Sequence, residues 1–326
     1  HAIVESVAVI PSADETTYDV WVSVKRYVNG GYKRFIEYFE ALFDDETEQE
    51  DGYFVDGGLT YDNPLTIASI NTTTHTVTIN SHGLSDGDVV RIDGVYLYGG
   101  GSSELNGKNY VVSGSATNTF VISREDGEDM QYTDDDSVPF IPPSGFTFGA
   151  GGFVREYVTV VSGLYHQMGE TVSICADGAV VPDQVVSSGV SLLNIDATQG
   201  RVTLPLRATK VHIGYNFRTR GKMLRLEAGS QDGTALGKTR RTHKVAFVLN
   251  RTNSLKIGMS FDNLQELTFR TASDPFGQSV PLFSGIRIEQ LDSNYDTENQ
   301  LCWQQDTPLP GTILAIAPQM HTEDAQ

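Results

Sequence analysis

The feature that most constrains the fold of this chain is the alternation of apolar and other residues in short segments. Val20, Val22 and Val24 occupy every second position of one such segment, and the segments end at glycine, asparagine or aspartate. A period of two places alternate side chains on opposite faces of a strand, whereas an amphipathic helix needs apolar residues three or four apart. Helical spacing is weak throughout, and its best candidate is 232–240, where Asp232 could cap a short basic turn. The chain is therefore predicted to be mainly β, with several small barrel or sandwich modules and little helix.

Turn-rich boundaries divide the 326 residues into four predicted modules. Residues 1–64 are expected to form a fragment of a propeller-like or sheet platform. Residues 65–148 are expected to form an inserted small β-barrel, because their strands are short and regularly spaced. Residues 149–215 form a second predicted barrel or sandwich, and residues 216–326 a C-terminal β region that returns to the platform.

The ends and cysteines of the sequence set further bounds. The sequence enters a strand almost at once without an initiator methionine, so we expect a preceding segment that supplies more strands. No window approaches the roughly 18 apolar residues that span a bilayer, so no membrane span is predicted. Cys175 and Cys302 are the only cysteines, which excludes a disulfide scaffold and a four-thiolate zinc site. Both are predicted to be reduced and buried.

The net charge of -19 is distributed unevenly. Residues 1–150 hold 25 acidic and 7 basic side chains, a net of -18, whereas residues 151–326 hold 17 and 16, a net of -1. Within the second part, residues 201–256 hold 13 basic and 2 acidic side chains, a net of +11. An acidic surface repels nucleic acid, which argues against a dedicated DNA-binding protein but suits a surface along which DNA slides.

The basic segment leaves two interpretations open. Clustered lysine and arginine can contact a polyanion such as DNA, or they can face acidic surface on a neighbouring subunit or solvent. The aromatic side chains that single-strand binding usually adds are limited here to Tyr215 and Phe217. The candidate DNA or inter-subunit contacts are Arg218, Arg220, Lys222, Arg225, Lys238, Arg240, Arg241 and Lys244.

Catalytic and metal motifs are not found in the sequence. Gly233-x-x-x-Gly237-Lys238-Thr239 is one residue too short for a phosphate-binding P-loop, and no two histidines have a ligand spacing. We therefore predict no enzyme activity, no catalytic residues, no metal site and no cofactor. The acidic run 44–51 is most simply a solvated loop, and calcium binding stays an alternative although the run lacks the EF-hand glycine.

The sequence contains a set of short phrases that belong together: Val4–Pro11, Trp21–Arg26, Asn29–Gly30 with Phe35–Glu37, Val55–Tyr61, Ser162–Leu164, Gly169–Val172, Ala176–Gly178, Gly237–Lys238, His243–Val245, Pro281–Gly285, Pro308–Pro310 and Leu314–Ile316. Together these phrases resemble the tail nozzle family of short-tailed bacteriophages, also called tail tubular protein B. Within the insert, Ser81–Leu84 and Gly87–Ile92 resemble a small β module known as the ubiquitin-activating-enzyme-type FCCH domain, a name that implies no ubiquitin chemistry in phage tails.

The resemblance implies a non-catalytic structural protein of the virion. It implies a homo-oligomeric ring, expected to be a hexamer, that conducts viral DNA during ejection and contacts adaptor and fibre or tailspike proteins of the tail. The protein would then be located in the phage tail after assembly in the host cytoplasm. The alternative is a host-recognition module in which the insert, residues 65–148, binds a cell-surface polysaccharide through Tyr96, Tyr98 and Tyr110.

Overall fold

The computed structural model describes residues 2–12, 17–71, 74–97, 101–102, 105–127, 151–187, 200–226, 237–274 and 278–323. Nearly all regular structure in these ranges is β-strand, with short 3-10 turns at Gln49–Asp51 and Tyr165–Gln167, which confirms the predicted mainly β class. The strands are β1 (Ala2–Pro11), β2 (Tyr18–Val28), β3 (Gly31–Tyr38), β4 (Asp56–Asp62), β5 (Leu65–Thr66), β6 (Ser69–Asn71), β7 (Thr76–Thr78), β8 (Val89–Asp93), β9 (Tyr96–Leu97), β10 (Gly101–Ser102), β11 (Lys108–Ser113), β12 (Thr119–Arg124), β13 (Phe153–Glu156), β14 (Val158–Val161), β15 (Thr171–Ala176), β16 (Ala179–Val185), β17 (Val202–Ala208), β18 (Lys210–Tyr215), β19 (Thr219–Lys222), β20 (Thr239–Thr252), β21 (Lys256–Ser260), β22 (Asn263–Glu266), β23 (Phe283–Gln290), β24 (Cys302–Gln305) and β25 (Thr312–Glu323).

The strands form small sheets within two compact units. Unit 1 comprises residues 1–59, 162–202 and 212–326, and unit 2 comprises residues 60–161 and 203–211. The predicted boundary at 148 lies inside unit 2, because β13 pairs with β5 and β8 in the sheet of that unit. The sheet orders are β1-β2-β3, β10-β9, β5-β13-β8-β11-β12-β7-β6, β14-β17, β16-β15-β18-β4, β19-β24-β21-β22 and β23-β20-β25.

The N-terminal sheet of unit 1 is an antiparallel meander of β1, β2 and β3. The turn between β2 and β3 lies at Asn29-Gly30, where both residues have positive φ angles of 48° and 78°. Asparagine and glycine adopt this backbone conformation at the lowest steric cost, which explains why the chain turns at these two residues. Arg26 of β2 is buried and makes paired hydrogen bonds with Glu37 of β3 and Asp56, at 2.6–2.8 Å.

Unit 2 is built on the seven-stranded antiparallel sheet. Alternate residues of its strands, among them Ile92 of β8 and Val154 of β13, are fully buried in one core. This alternation is what the sequence pattern predicts for strands that face a core on one side. The core residues are Ile67, Val77, Ile79, Leu84, Val90, Ile92, Val95, Leu105, Tyr110, Val112, Phe120, Ile122 and Val154.

A half-buried ion-pair network in unit 2 is centred on Asp62. The Nε atom of Arg155 is 3.0 Å from Oδ1 of Asp62, and the Nζ atom of Lys210 is 2.9 Å from Oδ2. Burial alone would raise the pKa of Asp62, but the hydrogen bonds from Lys210 and Arg155 outweigh it and hold that pKa below its ordinary value.

We expect unit 2 to lose stability on acidification because of Asp62. The lowered pKa means that the ionised carboxylate stabilises the folded state above about pH 3.9, the value for unfolded aspartate, and that this contribution disappears as the pH falls through the folded pKa. Urea unfolding between pH 5 and 2, followed by the methyl NMR signals of Ile92 and Val154, measures this. Asp62→Asn is expected to flatten the acid limb, whereas the exposed control Asp126→Asn leaves it unchanged. Parallel limbs for Asp62→Asn and wild type would contradict the assignment.

The remaining sheets of unit 1 carry the C-terminal half of the chain. β20 is the central strand of β23-β20-β25, and Val245, Phe247 and Leu249 on one of its faces are buried. Cys175 and Cys302 are both buried free thiols, as predicted, and burial raises the pKa of Cys175 to about 12. The predicted basic turn at 232–240 is wrong at its end, where Thr239 and Arg240 belong to β20; residues 231–236 lie outside the described residues.

Candidate nucleic-acid and subunit interface

A row of basic side chains lies on the edge strand β19. Arg220 and Lys222 are two positions apart on this strand, so they project from the same face, and Arg218 directly precedes the strand. All three residues are exposed. β19 pairs with β24, and in the described part of the sheet it is one of the two edge strands, with β22 at the other edge. We call Arg218, Arg220 and Lys222 the basic row.

The next two strands hold part of the basic row in position. The register places Arg220 opposite Gln304 of β24, and Gln304 opposite Lys256 of β21. The Nε atom of Arg220 donates to Oε1 of Gln304 at 2.8 Å, and its guanidinium lies 5.0 Å from the centre of the Phe261 ring. A cation above an aromatic face is attracted by the ring, so Arg220 is oriented from two sides.

The half-buried carboxylate of Asp306 reduces the charge of this cluster. Nζ of Lys256 lies 2.8 Å from Oδ1 of Asp306 and donates to Oδ2 at 2.9 Å, and Nε2 of Gln304 also donates to Oδ2 at 2.8 Å. Burial acts to raise the pKa of Asp306, but Lys256, Gln304 and the positive charge of Arg218 hold it below its ordinary value. Asp306 is therefore ionised at neutral pH. The surface around the three exposed cations of the basic row keeps a net positive charge.

The structure separates the other predicted basic contacts from the basic row. Arg240 is buried, and its backbone forms a bridge with Asp296, so its guanidinium cannot contact an external partner and this prediction is wrong. A β-bulge between Thr242 and Lys244 explains this, because one extra residue reverses which side chains face inward. Arg241 is exposed.

Three further candidates are less accessible than the basic row. Lys238 and Lys244 are half-buried at the start of β20. Nη1 of Arg225 lies 3.9 Å from Oε1 of Glu298, so its charge is partly compensated within the chain. Among the described residues, the structure therefore brings three of the eight predicted residues together in an exposed row. These three are Arg218, Arg220 and Lys222.

We expect the basic row to supply part of any nucleic-acid affinity. Changing Arg218, Arg220 and Lys222 together to glutamine should weaken binding of single-stranded DNA and reduce the slope of log Kobs against log salt by about 2, or about 0.7 for each phosphate contact. Fluorescence anisotropy with labelled oligonucleotides at several salt concentrations measures both quantities.

The matched control changes Lys25, Lys33 and Arg34 to glutamine, which removes the same charge from the N-terminal sheet of unit 1. It should leave the salt slope as in wild type. Equal slopes for the basic-row variant and wild type would contradict a DNA contact at this row. If that variant instead lowers the mass of the assembled protein, the row contacts a neighbouring subunit.

The structure describes the side chain of one of the three tyrosines that were predicted to contact the host surface. The side chain of Tyr110 is fully buried in the core of unit 2, and its hydroxyl donates to the carbonyl oxygen of Leu105 at 3.2 Å. Tyr110 is therefore unavailable as a surface contact, which corrects the prediction; a large aromatic side chain gains more from burial in a small β module. The side chain of Tyr96 and all of Tyr98 lie outside the described residues.

The acidic run 44–51 is attached to unit 1 by specific contacts. The carboxylate of Asp44 accepts hydrogen bonds from the backbone amides of Glu46 and Thr47, and the guanidinium of Arg251 donates to the carbonyl oxygens of Asp44 and Thr47. Nε2 of Gln49 donates to the carbonyl oxygen of Gly178 at 3.2 Å. Within the described ranges, no three acidic, histidine or cysteine side chains converge as a metal site would require.

Two exposed apolar surfaces of unit 1 were missed by the sequence analysis. The first, which we call the outer face, is the side of sheet β23-β20-β25 opposite the buried Phe247. The second, which we call the β1 strip, consists of Val4, Val7 and Val9. Alternation reveals that a strand has an apolar face but does not reveal whether that face is covered. The outer face consists of Ala246, Val248, Ile286, Ile288, Ala315 and Ala317.

Comparisons with known proteins assign no family to the chain. No family model matches the sequence, and no curated protein matches it. Across the described residues, no helix is both long enough and apolar enough to cross a membrane.

Proposed function

We propose that this chain is a structural component of a short-tailed phage tail, of the nozzle type, that assembles from several copies into a ring through which DNA passes. The observation that carries the proposal is the exposure of the outer face and the β1 strip. Contiguous apolar side chains on a protein surface mark contacts with other macromolecules more often than chance exposure does. Both surfaces are β-sheet surfaces, and the mainly β class agrees with the resemblance to nozzle proteins.

The charge distribution supports a passage for DNA rather than a tight DNA-binding site. Residues 1–59 hold 13 acidic and 4 basic side chains, a net of -9, so they repel a polyanion. The basic row provides a local contact of three cations, which is enough to bind DNA weakly. Its charge is small compared with the negative charge of residues 1–59. We propose that DNA slides over the acidic surface and meets the basic row at one level of the ring.

The proposal includes location and partners. A ring of this kind belongs to the virion, is assembled in the cytoplasm of the host bacterium, and joins the tail to adaptor and fibre or tailspike proteins. Its working surfaces are subunit contacts, and no catalytic step is assigned to it.

Sedimentation velocity of the full-length protein tests the proposal. We expect a discrete species of several copies, six by the resemblance, whose proportion increases with protein concentration. A monomer at all concentrations up to those of a concentrated stock would contradict it. The host-recognition alternative is tested by the same preparation, since binding of the monomer to host envelope polysaccharide would support that alternative.

A further inference from the structure

The β1 strip is exposed, although the same face of the neighbouring strand β2 is buried. The register pairs Val7 with Val22, so both side chains lie on one face of the sheet. Val22 is 7% exposed, whereas Val7 and Val9 are each 61% exposed. The same apolar face is thus covered at β2 and uncovered at β1, and the described residues of the chain provide nothing that covers it there.

The outer face is a shallow surface in which small side chains lie beside large ones. Ile288 of β23, Ala246 of β20 and Ala317 of β25 form one row across the three strands. Ile286, Val248 and Ala315 form the next row. Ile286 is 67% exposed, yet Phe247, on the opposite side of the same sheet, is fully buried.

The two surfaces are complementary in shape. The three alanines of the outer face leave shallow positions between the larger side chains, and a row of valines projecting from another sheet can fill such positions. Sheets stack at about 10 Å when large and small side chains interdigitate in this way. A contact of valines on alanines therefore fits better than a contact of the outer face with a second outer face, in which isoleucines would meet isoleucines.

The two sequence segments that carry these surfaces have opposite net charges. The β1 strip belongs to residues 1–59, with a net charge of -9. The central strand of the outer face belongs to residues 212–256, which hold 10 basic and 2 acidic side chains, a net of +8. Opposite charges favour the approach of these two parts, and like charges disfavour the approach of either part to its own copy. Lys244 lies two positions before Ala246 on β20, at the border of the outer face.

We propose that the β1 strip of one copy packs on the outer face of the next copy. Such a head-to-tail contact uses two different surfaces of each chain, so it propagates from copy to copy and closes into a ring when the rotation between copies allows it. This inference rests on the proposed self-assembly, and it names the surfaces that make the contact.

Cysteine cross-linking of full-length chains tests the contact. Val7→Cys and Ile288→Cys are prepared as separate proteins, and both positions are exposed, so neither substitution disturbs the core. The native cysteines are buried and give little background. Under mild oxidation, a mixture of the two variants should give at least about tenfold more cross-linked dimer than either variant alone, because only the mixture brings unlike surfaces together within disulfide reach.

Two further variants test whether the cross-link is specific and whether it propagates from copy to copy. The double variant Val7→Cys/Ile288→Cys should produce a ladder of cross-linked multiples. Leu206→Cys is a control in unit 2, at a position that is also exposed, and its mixture with Val7→Cys should give no cross-linked dimer. Circular dichroism confirms that each variant is folded before oxidation.

Each other outcome overturns the contact. Cross-linking of Val7→Cys alone would indicate pairing of β1 with β1 of a second copy, and cross-linking of Ile288→Cys alone would indicate two outer faces in contact. An assembled species without any cross-link would place the interface elsewhere while leaving the proposed ring intact. A monomeric species without cross-links would overturn both the contact and the proposed function.

Discussion

Replacing Arg26 with methionine is expected to lower the free energy of unfolding of unit 1 by about 3–5 kcal/mol. The Arg26 guanidinium is buried and forms two-point hydrogen bonds with the carboxylates of both Glu37 and Asp56. Methionine fills much of the same volume but leaves these two carboxylates close together without a cation. Burial alone would lower the pKa of Arg26, and the bonds to Glu37 and Asp56 raise it instead, so the charged form is the one that the fold stabilises.

Urea unfolding followed by tryptophan fluorescence measures this loss, since Trp21 lies on the same strand. Arg34→Met is the matched control, because Arg34 makes its ion pair with Glu5 at the surface and its loss should not move the urea midpoint detectably. Neutralising Glu37 and Asp56 as glutamine and asparagine in the Arg26→Met background should restore part of the stability. A midpoint for Arg26→Met equal to that of Arg34→Met would refute the stabilising role of the buried Arg26 and its two carboxylates.

Replacing Phe247 with alanine should cost about 3–5 kcal/mol, the range for removing a fully buried aromatic ring. Phe247 lies on the inner face of β20 with no exposed surface, and its cluster includes Leu255, Ile257 and Leu301. The substitution removes apolar burial and leaves a cavity that the surrounding strands can fill only in part. The measurement is urea unfolding at low protein concentration.

Ile286→Ala is the control for this prediction. It removes a side chain of comparable hydrophobicity from the outer face of the same sheet, where 67% of the residue is exposed. Its effect on the stability of the dilute protein should be within about 0.5 kcal/mol, the range for surface substitutions. Similar losses for both variants would mean that the outer face is covered within the chain, and the proposed contact between copies would fail.

The strand pattern was predictable where local chemistry determines it. The hairpin at Asn29-Gly30 follows from the residues that tolerate positive φ, and the inner face of β20 follows from Val245, Phe247 and Leu249. The position of Arg240 was not predictable. The bulge at the start of β20 changes which residues face inward, and a bulge depends on the strands paired on either side rather than on local sequence.

The sequence predicted which segment of the candidate interface is rich in basic residues, but it did not predict which of these residues lie together. The excess of basic residues in 201–256 is a sequence property, but the grouping of Arg218, Arg220 and Lys222 depends on β19 being an edge strand in the described part of its sheet. The burial of Tyr110 and the exposure of the β1 strip likewise depend on what packs above each face. The same alternation of apolar residues occurs in strands whose apolar face is buried and in strands whose apolar face is exposed. Whether the face is buried depends on long-range packing.

Electron microscopy of the purified full-length protein tests the proposed tail component most directly. We expect closed rings of several copies, six by the resemblance, with an axial opening wide enough for duplex DNA. In the averaged density, the N-terminal sheet of one copy should lie against sheet β23-β20-β25 of the next. Single particles without rotational symmetry, or closed assemblies without an axial opening, would contradict it.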